Sequence, residues 1–416
     1  MIFKRSLWLV IHRWAGLIMS LLLIVVALTG SLLAFHSELE RLINPQFYSD
    51  EDDRDTLDIG TLAAQVEQIV PDAQINSIFL EGNQGLTFAM VRMPATSDGY
   101  TDFDQLILNP HTGEELGRRK FGAISQGMTN FMPFIYKLHY TLLLDKIGVW
   151  ILGVCAALWT IDCFVGFYLT LPARNKVKRE INHNYLGSSS KSWWQRWQPA
   201  WKIRLGASFN KLNFDLHRAN GLWLWIILLM FAWSSVYMNM WDSVYTWATR
   251  VVLEYRAPWT EIAKLPAPLQ KTELSWREAN IVGQRLMAEH AQAHQISVEK
   301  VVGMKLDRER GIYNYTVRSS RDIQDRRGVT RVYFDANTGE LRLATLPIGQ
   351  WNGNTVTSWL YALHMGNVFG LTWRIFVCVM GFVITLLSIT GIVIWMKKRQ
   401  ARQISHLIVT SSRSSN

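Results

Sequence analysis

Four apolar stretches constrain this 416-residue chain more than any other feature. They run over Trp14–Phe35, Ile147–Leu171, Leu222–Met240 and Ile375–Met396, each close to the ~20 residues that a helix needs to cross a hydrocarbon core. Lys4 and Arg5 precede the first stretch in the manner of a signal peptide. It is too long for the apolar core of one, and Ser31–His36 offers no small-x-small cleavage site, so it reads as a retained anchor. A mean hydropathy of only +0.06 excludes a chain that is membrane from end to end. Disorder is excluded by a hydrophobic content of 49% with 19 Trp. The expectation is a membrane protein with substantial soluble portions.

Charge then orients the spans. The net charge of +10 would suggest nucleic acid in a soluble protein. Here the excess is local. The N-terminus carries Lys4, Arg5 and Arg13 without an acid, and the tail carries Lys397, Lys398, Arg399, Arg402 and Arg413. The loop 172–216 holds Arg174, Lys176, Lys178, Arg179, Lys191, Arg196, Lys202, Arg204 and Lys211 against Glu180 and Asp215. The rest of the chain is left with 26 basic and 31 acidic residues. Positive residues favour the cytoplasmic side, which places both termini and that loop inside. The connections 37–130 and 241–358 lie outside, in the periplasm of a bacterium. The expected partner of the charge is the lipid bilayer, with no nucleic acid.

The chain also repeats itself. His12-Arg13-x-x-Gly16 opens the first span and His217-Arg218-x-x-Gly221 the third, while Leu138-His139 and Leu363-His364 precede the second and fourth. Gly166 and Gly391 each lie 27 residues beyond His139 and His364. Asn109-Pro110-His111-Thr112-Gly113-Glu114 matches Asp335-Ala336-Asn337-Thr338-Gly339-Glu340. Both halves begin inside, so the expected relation is a parallel duplication about an axis along the membrane normal. Leu62–Ile69 and Trp276–Ala288 have helical patterning, and Ile312–Arg318 and Val332–Asp335 alternate like strands. The Thr-Gly-Glu turns call for a left-handed glycine.

A helix followed by strands that end in a D/N-P-x-T-G-E turn resembles the PepSY domain. With the His-Arg-x-x-Gly and Leu-His motifs, the chain from about His12 to Lys398 resembles the PepSY-associated transmembrane family, which includes bacterial inner-membrane siderophore reductases and iron-regulated membrane proteins. Ala336 departs from the usual proline. The expected fold is an α-helical integral membrane protein with four transmembrane helices and two α+β PepSY-like periplasmic domains. Its segments are 1–36 (N-terminus and first span), 37–130 (first domain), 131–171 (second span), 172–216 (basic loop), 217–240 (third span), 241–358 (second domain), 359–396 (fourth span) and 397–416 (tail).

The histidines carry the functional expectation. His12 and His217 stand at the cytoplasmic ends of two spans, and His139 and His364 stand before the other two, at the outer face. One pair per face is what six-coordinate haem iron requires, two axial nitrogens on opposite sides of a planar ring. Two haems b would then connect the faces. His36 is the second-choice outer ligand; at 24 residues beyond His12, it would lie roughly 36 Å away along a continuous helix. The resemblance implies reduction of a ferric siderophore, with electrons from an unidentified donor on the cytoplasmic side or in the membrane. Arg13 and Arg218 suit haem propionates or an interface anchor equally well. Asp162, costly within a span, suits a propionate-side contact, a proton path or a bond to Ser234 or Ser235.

Other readings stay open at this stage. A non-redox iron-uptake permease or accessory would use the histidines as interface anchors, and a regulator would bind a peptidase or envelope partner through its PepSY-like units. Trp193, Trp194, Trp197 and Trp201, mixed with basic residues, suit a segment lying on anionic lipid or a docking site for the donor. His111, His183, His290, His294 and His406 lack repeat partners and are expected at the surface, although His290 and His294 are spaced i, i+4 as a metal pair would be. Cys155, Cys163 and Cys378 sit in apolar runs, away from any disulfide framework. No dinucleotide fingerprint, P-loop or H-E-x-x-H motif occurs.

Overall fold

The computed structural model describes residues 5–48, 55–80, 85–92, 102–173 and 191–414, with side chains through 404. The expectations for Lys4, for Arg174, Lys176, Lys178, Arg179, Glu180 and His183, and for the side chains of His406 and Arg413 lie outside the described residues. The helices, in chain order, are α1 (Arg5–Leu33), α2 (His36–Ile43), α3 (Ile59–Ile69), α4 (Phe131–Thr141), α5 (Asp145–Thr170), α6 (Trp193–Trp197), α7 (Phe209–Trp223), α8 (Trp225–Asn239), α9 (Thr246–Val252), α10 (Pro258–Glu261), α11 (Trp276–His294), α12 (Asn352–His364) and α13 (Gly370–Ser414). The strands are β1 (Gln74–Phe79), β2 (Thr87–Arg92), β3 (Gln105–Leu108), β4 (Glu115–Arg119), β5 (Val298–Asp307), β6 (Ile312–Ser319), β7 (Thr330–Asp335) and β8 (Leu341–Thr345). They fall into two compact units.

The first unit comprises Met1–Leu28, Lys146–Asn239 and Val379–Asn416. Among the described residues, α1, α5 and the Gly370–Ile404 part of α13 are long and apolar enough to cross a membrane. The third expected span differs from the sequence reading. Instead of one rod over Leu222–Met240, the chain bends by 70° between α7 and α8, which together make a fourth candidate span. The bend falls between two tryptophans with separate commitments. The Trp223 indole donates to the Trp201 carbonyl (3.1 Å) and the Trp225 indole to the Cys163 carbonyl (2.8 Å). In the loop before α7, Ser192 and Gln195 form a reciprocal cap that starts α6. Pro199 then sits in the first turn of a short 3₁₀ segment, Gln198–Trp201, where its missing N–H costs nothing.

The second unit comprises Thr29–Asp145 and Met240–Cys378. Both soluble stretches run helix and then four antiparallel strands, and all eight strands lie in one sheet of order β4-β3-β2-β1-β5-β6-β7-β8. Where the sequence reading gave each stretch its own domain, the structure joins them through β1 and β5, with Ser77 opposite Lys305, Ile78 opposite Met304 and Phe79 opposite Gly303. Helices α3 and α11 cover one face, burying Leu62, Val66, Leu286 and Met287 against Leu106, Tyr315 and their neighbours. Ile107, alternating with Leu106 and Leu108, packs on the other side with Phe47 and Leu86. Asp58 caps α3, accepting from the Gly60 and Thr61 amides, and also takes the Asn280 amide of α11 (2.9 Å).

The two matched turns have the same wiring. Asn109 Oδ1 accepts from the His111 and Thr112 amides, and Asp335 Oδ1 from those of Asn337 and Thr338. Gly113 and Gly339 follow at φ +75° and +73°, the left-handed conformation that glycine adopts without strain. Ala336, which stands where the first turn has Pro110, donates its N–H to the Gly311 carbonyl (2.8 Å). The departure from proline therefore adds a hydrogen bond and leaves the turn intact.

Candidate functional site

In the first unit, α1 and α7 bring His12 and His217 together, with ring centres 6.1 Å apart. The neighbours of the two rings differ. His12 Nδ1 lies 2.9 and 3.0 Å from the two carboxylate oxygens of Asp162 on α5. His217 Nδ1 lies 3.1 Å from the Leu387 carbonyl and 3.1 Å from the Thr390 hydroxyl on α13. Carboxylate and carbonyl oxygens only accept, so these partners assign the proton to Nδ1 in both rings. In the neutral ring with that tautomer, Nε2 carries the lone pair that a metal ligand requires.

Glycines adjoin the same rings. A Cβ at Gly166 would lie 3.5 Å from His12, and one at Gly391 would lie 3.3 Å from His217. The 27-residue spacing marked both glycines in the sequence without revealing what they face. Adjacent to the two histidines in sequence, Arg13 and Arg218 each carry a buried Nε with no hydrogen-bond partner among the described residues. One outer nitrogen of Arg218, Nη2, donates to Asp215 (3.0 Å) and to the Pro199 carbonyl (2.6 Å). Arg13 lies over the Trp14 ring. Asp162 has gone to His12, while Ser234 and Ser235 bond to carbonyls of their own helix; of the partners considered for Asp162, these hydroxyls are ruled out.

In the second unit, His139 on α4 and His364 at the end of α12 are also close. Burial and the neighbouring His139 push the His364 imidazole down to about 3, so it is neutral at physiological pH. His139 Nδ1 meets the Thr29 hydroxyl at 3.0 Å, and a Cβ at Gly30 would approach its ring to 3.1 Å. His12, His217 and His139 thus each have an adjoining glycine and a polar partner on Nδ1. Thr29, Thr390 and Gly30 had no signal in the sequence.

His36 differs from its expected placement. It does not continue the first span, because α1 ends at Leu33 and His36 opens the separate helix α2. Its ring stands edge-on to Tyr136, with centres 6.5 Å apart. Burial, then the charges of Arg119 and Arg327, push it down to about 4.

A buried polar network ties α2 to the sheet. Arg119 of β4 donates to Glu40 of α2 (2.6 Å), to Gln105 of β3 (2.7 Å) and to the Thr129 carbonyl before α4 (2.6 Å). Asn44 also donates to Glu40 (3.0 Å). The two charges are fully buried and 79 residues apart, so no local pattern announces them.

His290, expected at the surface, is only 7% exposed because it lies on the core-facing side of α11. Its ring is tilted by 52° to that of His294, with centres 4.2 Å apart. Among the described residues, no three His, Cys, Asp or Glu side chains group around a point that would hold a metal ion.

The family model for the PepSY-associated TM region matches residues 9–398. No curated protein matches the chain.

Proposed function

Because the chain belongs to the PepSY-associated transmembrane family, we propose that it is a dihaem reductase of the bacterial inner membrane. In this reading both termini and the basic loop are cytoplasmic, and the sheet lies in the periplasm. Electrons come from a donor on the cytoplasmic side or in the membrane, and the acceptor is a ferric siderophore, whose iron is released more readily as Fe(II). One haem b is held by His12 and His217, and the other by His139 and His364. Haem, when bound, supplies one-electron transfer at iron.

The observation that carries this reading is the His12–His217 spacing. Two imidazoles that faced one metal from opposite sides, through bonds of about 2 Å, would have ring centres separated on this scale, and these lie 6.1 Å apart. Both rings keep Nε2 for a metal because Nδ1 is spent on Asp162 or on Leu387 and Thr390. Gly166 and Gly391 adjoin the imidazoles, where an added Cβ would come within 3.5 Å of His12 and 3.3 Å of His217. The partnerless Nε atoms of Arg13 and Arg218 suit anionic propionates. Burial keeps His364 unprotonated in the second pair, as a ligand must be. The tryptophans of α6, two of them half exposed, suit the lipid interface.

The test is an optical spectrum of detergent-purified protein, oxidised and dithionite-reduced, with haem quantified per chain. Two low-spin haems, one of them lost in His12→Ala, are expected. Colourless protein made with ample haem supply overturns the reading and favours a transport or regulatory role.

A further inference from the structure

His12 and His217 are held alike in position and unlike in charge. Asp162 and Leu387 each stand 23 residues beyond the histidine that precedes their span. That shared position gives His12 a carboxylate and gives His217 only a main-chain carbonyl, helped by the Thr390 hydroxyl. Among the described residues His12 is the only hydrogen-bond partner of Asp162, and both carboxylate oxygens are within bonding distance of the one nitrogen. Asp162 is 8% exposed, and a carboxylate in an apolar span is expensive. A neutral residue would pack there at less cost, as leucine does in the other half. What the carboxylate adds is negative charge, delivered through the imidazole to whatever Nε2 binds.

We propose that Asp162 is a positioning residue that sets the redox asymmetry of the protein: acting through His12, it gives the His12–His217 centre the lower reduction potential of the two. The proposal rests on the dihaem reading. A carboxylate that accepts the Nδ1 proton makes the imidazole a stronger donor through Nε2, and a stronger donor favours ferric over ferrous iron. The fixed negative charge acts in the same direction, and low-dielectric surroundings strengthen it. His139, by contrast, has a neutral hydroxyl on its Nδ1. The reduction potential then rises from the centre nearer the proposed donor to the centre nearer the proposed acceptor, so electrons move outward without a bound siderophore to pull them.

The experiment is a potentiometric titration of haem-loaded, full-length protein, followed in the visible spectrum, with the g-values of each ferric centre read by electron paramagnetic resonance. Asp162→Asn keeps the shape and an accepting oxygen and removes the charge. It is expected to raise one midpoint by at least a tenfold change in the reduction equilibrium, about 59 mV for one electron, to shift that centre's g-values, and to leave the other centre unmoved. Asp162→Glu should retain the wild-type midpoint, and that result supports the proposal even if the asparagine variant loses the haem. Two haems with unchanged midpoints in Asp162→Asn overturn it, as does haem loss in both variants, which would make Asp162 a purely structural residue. Wild-type protein without haem fails the underlying reading instead, so the two failures are distinct.

Discussion

The His12–His217 pair and the His139–His364 pair are built from the same residue type at repeat-equivalent positions, yet their surroundings differ. The first pair is anchored by direct bonds from neighbouring helices to each ring, one of them charged. In the second, a neutral hydroxyl meets His139, and a buried ion pair fastens α2 and the approach to α4. Equivalent positions therefore fix where an imidazole stands, while its electronic surroundings come from residues free to differ between the halves.

The sharpest test of that contrast removes one ring. His217→Ala should abolish the chromophore of the first pair and leave that of the second intact, as counted by haem per chain; loss of both would show that the sites are coupled. Next, Arg119→Met should lower stability by about 3–5 kcal/mol, because Glu40 is left charged and buried. Glu40→Leu added to Arg119→Met should recover most of that, as read by thermal unfolding in detergent. An effect confined to the spectrum of the first pair would contradict the division drawn here.

A pH effect should follow in haem-free protein. The folded state holds His36 at about 4 and His364 at about 3, below the ordinary 6.5. Between those values the unfolded chain binds protons that the folded one refuses, so stability falls as pH drops from about 6.5 toward 4. His36→Gln should flatten that decline, and an unchanged slope would remove His36 from the account. The smallest expected effect is that of Thr29→Val, about 0.5–1.5 kcal/mol for a lost neutral hydrogen bond. It should alter the His139 centre and spare its counterpart, which haem-resolved spectra can decide.

What the sequence disclosed was local. Spans one, two and four, the matched turns and the placing of the four histidines all follow from short patterns of apolarity, glycine and charge. The bend between Trp223 and Trp225 was hidden because the nearby Gly221 reads as part of the repeated His-Arg-x-x-Gly motif; indole bonds to two carbonyls distant in sequence flank the bend. The partner of Asp162 lies 150 residues away in the chain, and a costly carboxylate announces that it has a partner without saying which. Arg119 and Glu40 were silent for the same reason. The joining of the two strand sets was equally invisible, since an alternating pattern fixes which face of a strand is buried and not which edge is covered.

That joining is a short seam in the sheet. Strands β5 and β6 pair over most of their length, whereas β1 and β5 pair over 77–79 and 303–305, with the Leu80 amide adding a bond to the Val302 carbonyl (2.9 Å). Gly303 sits in that short stretch, where a single added methyl would lie 2.5 Å from the Ile78 carbonyl. Mechanical load applied across the sheet should tear it there first. An alanine at Gly303 would act as a wedge at the tear line, far in sequence from the four paired histidines and yet in the unit that carries His139 and His364.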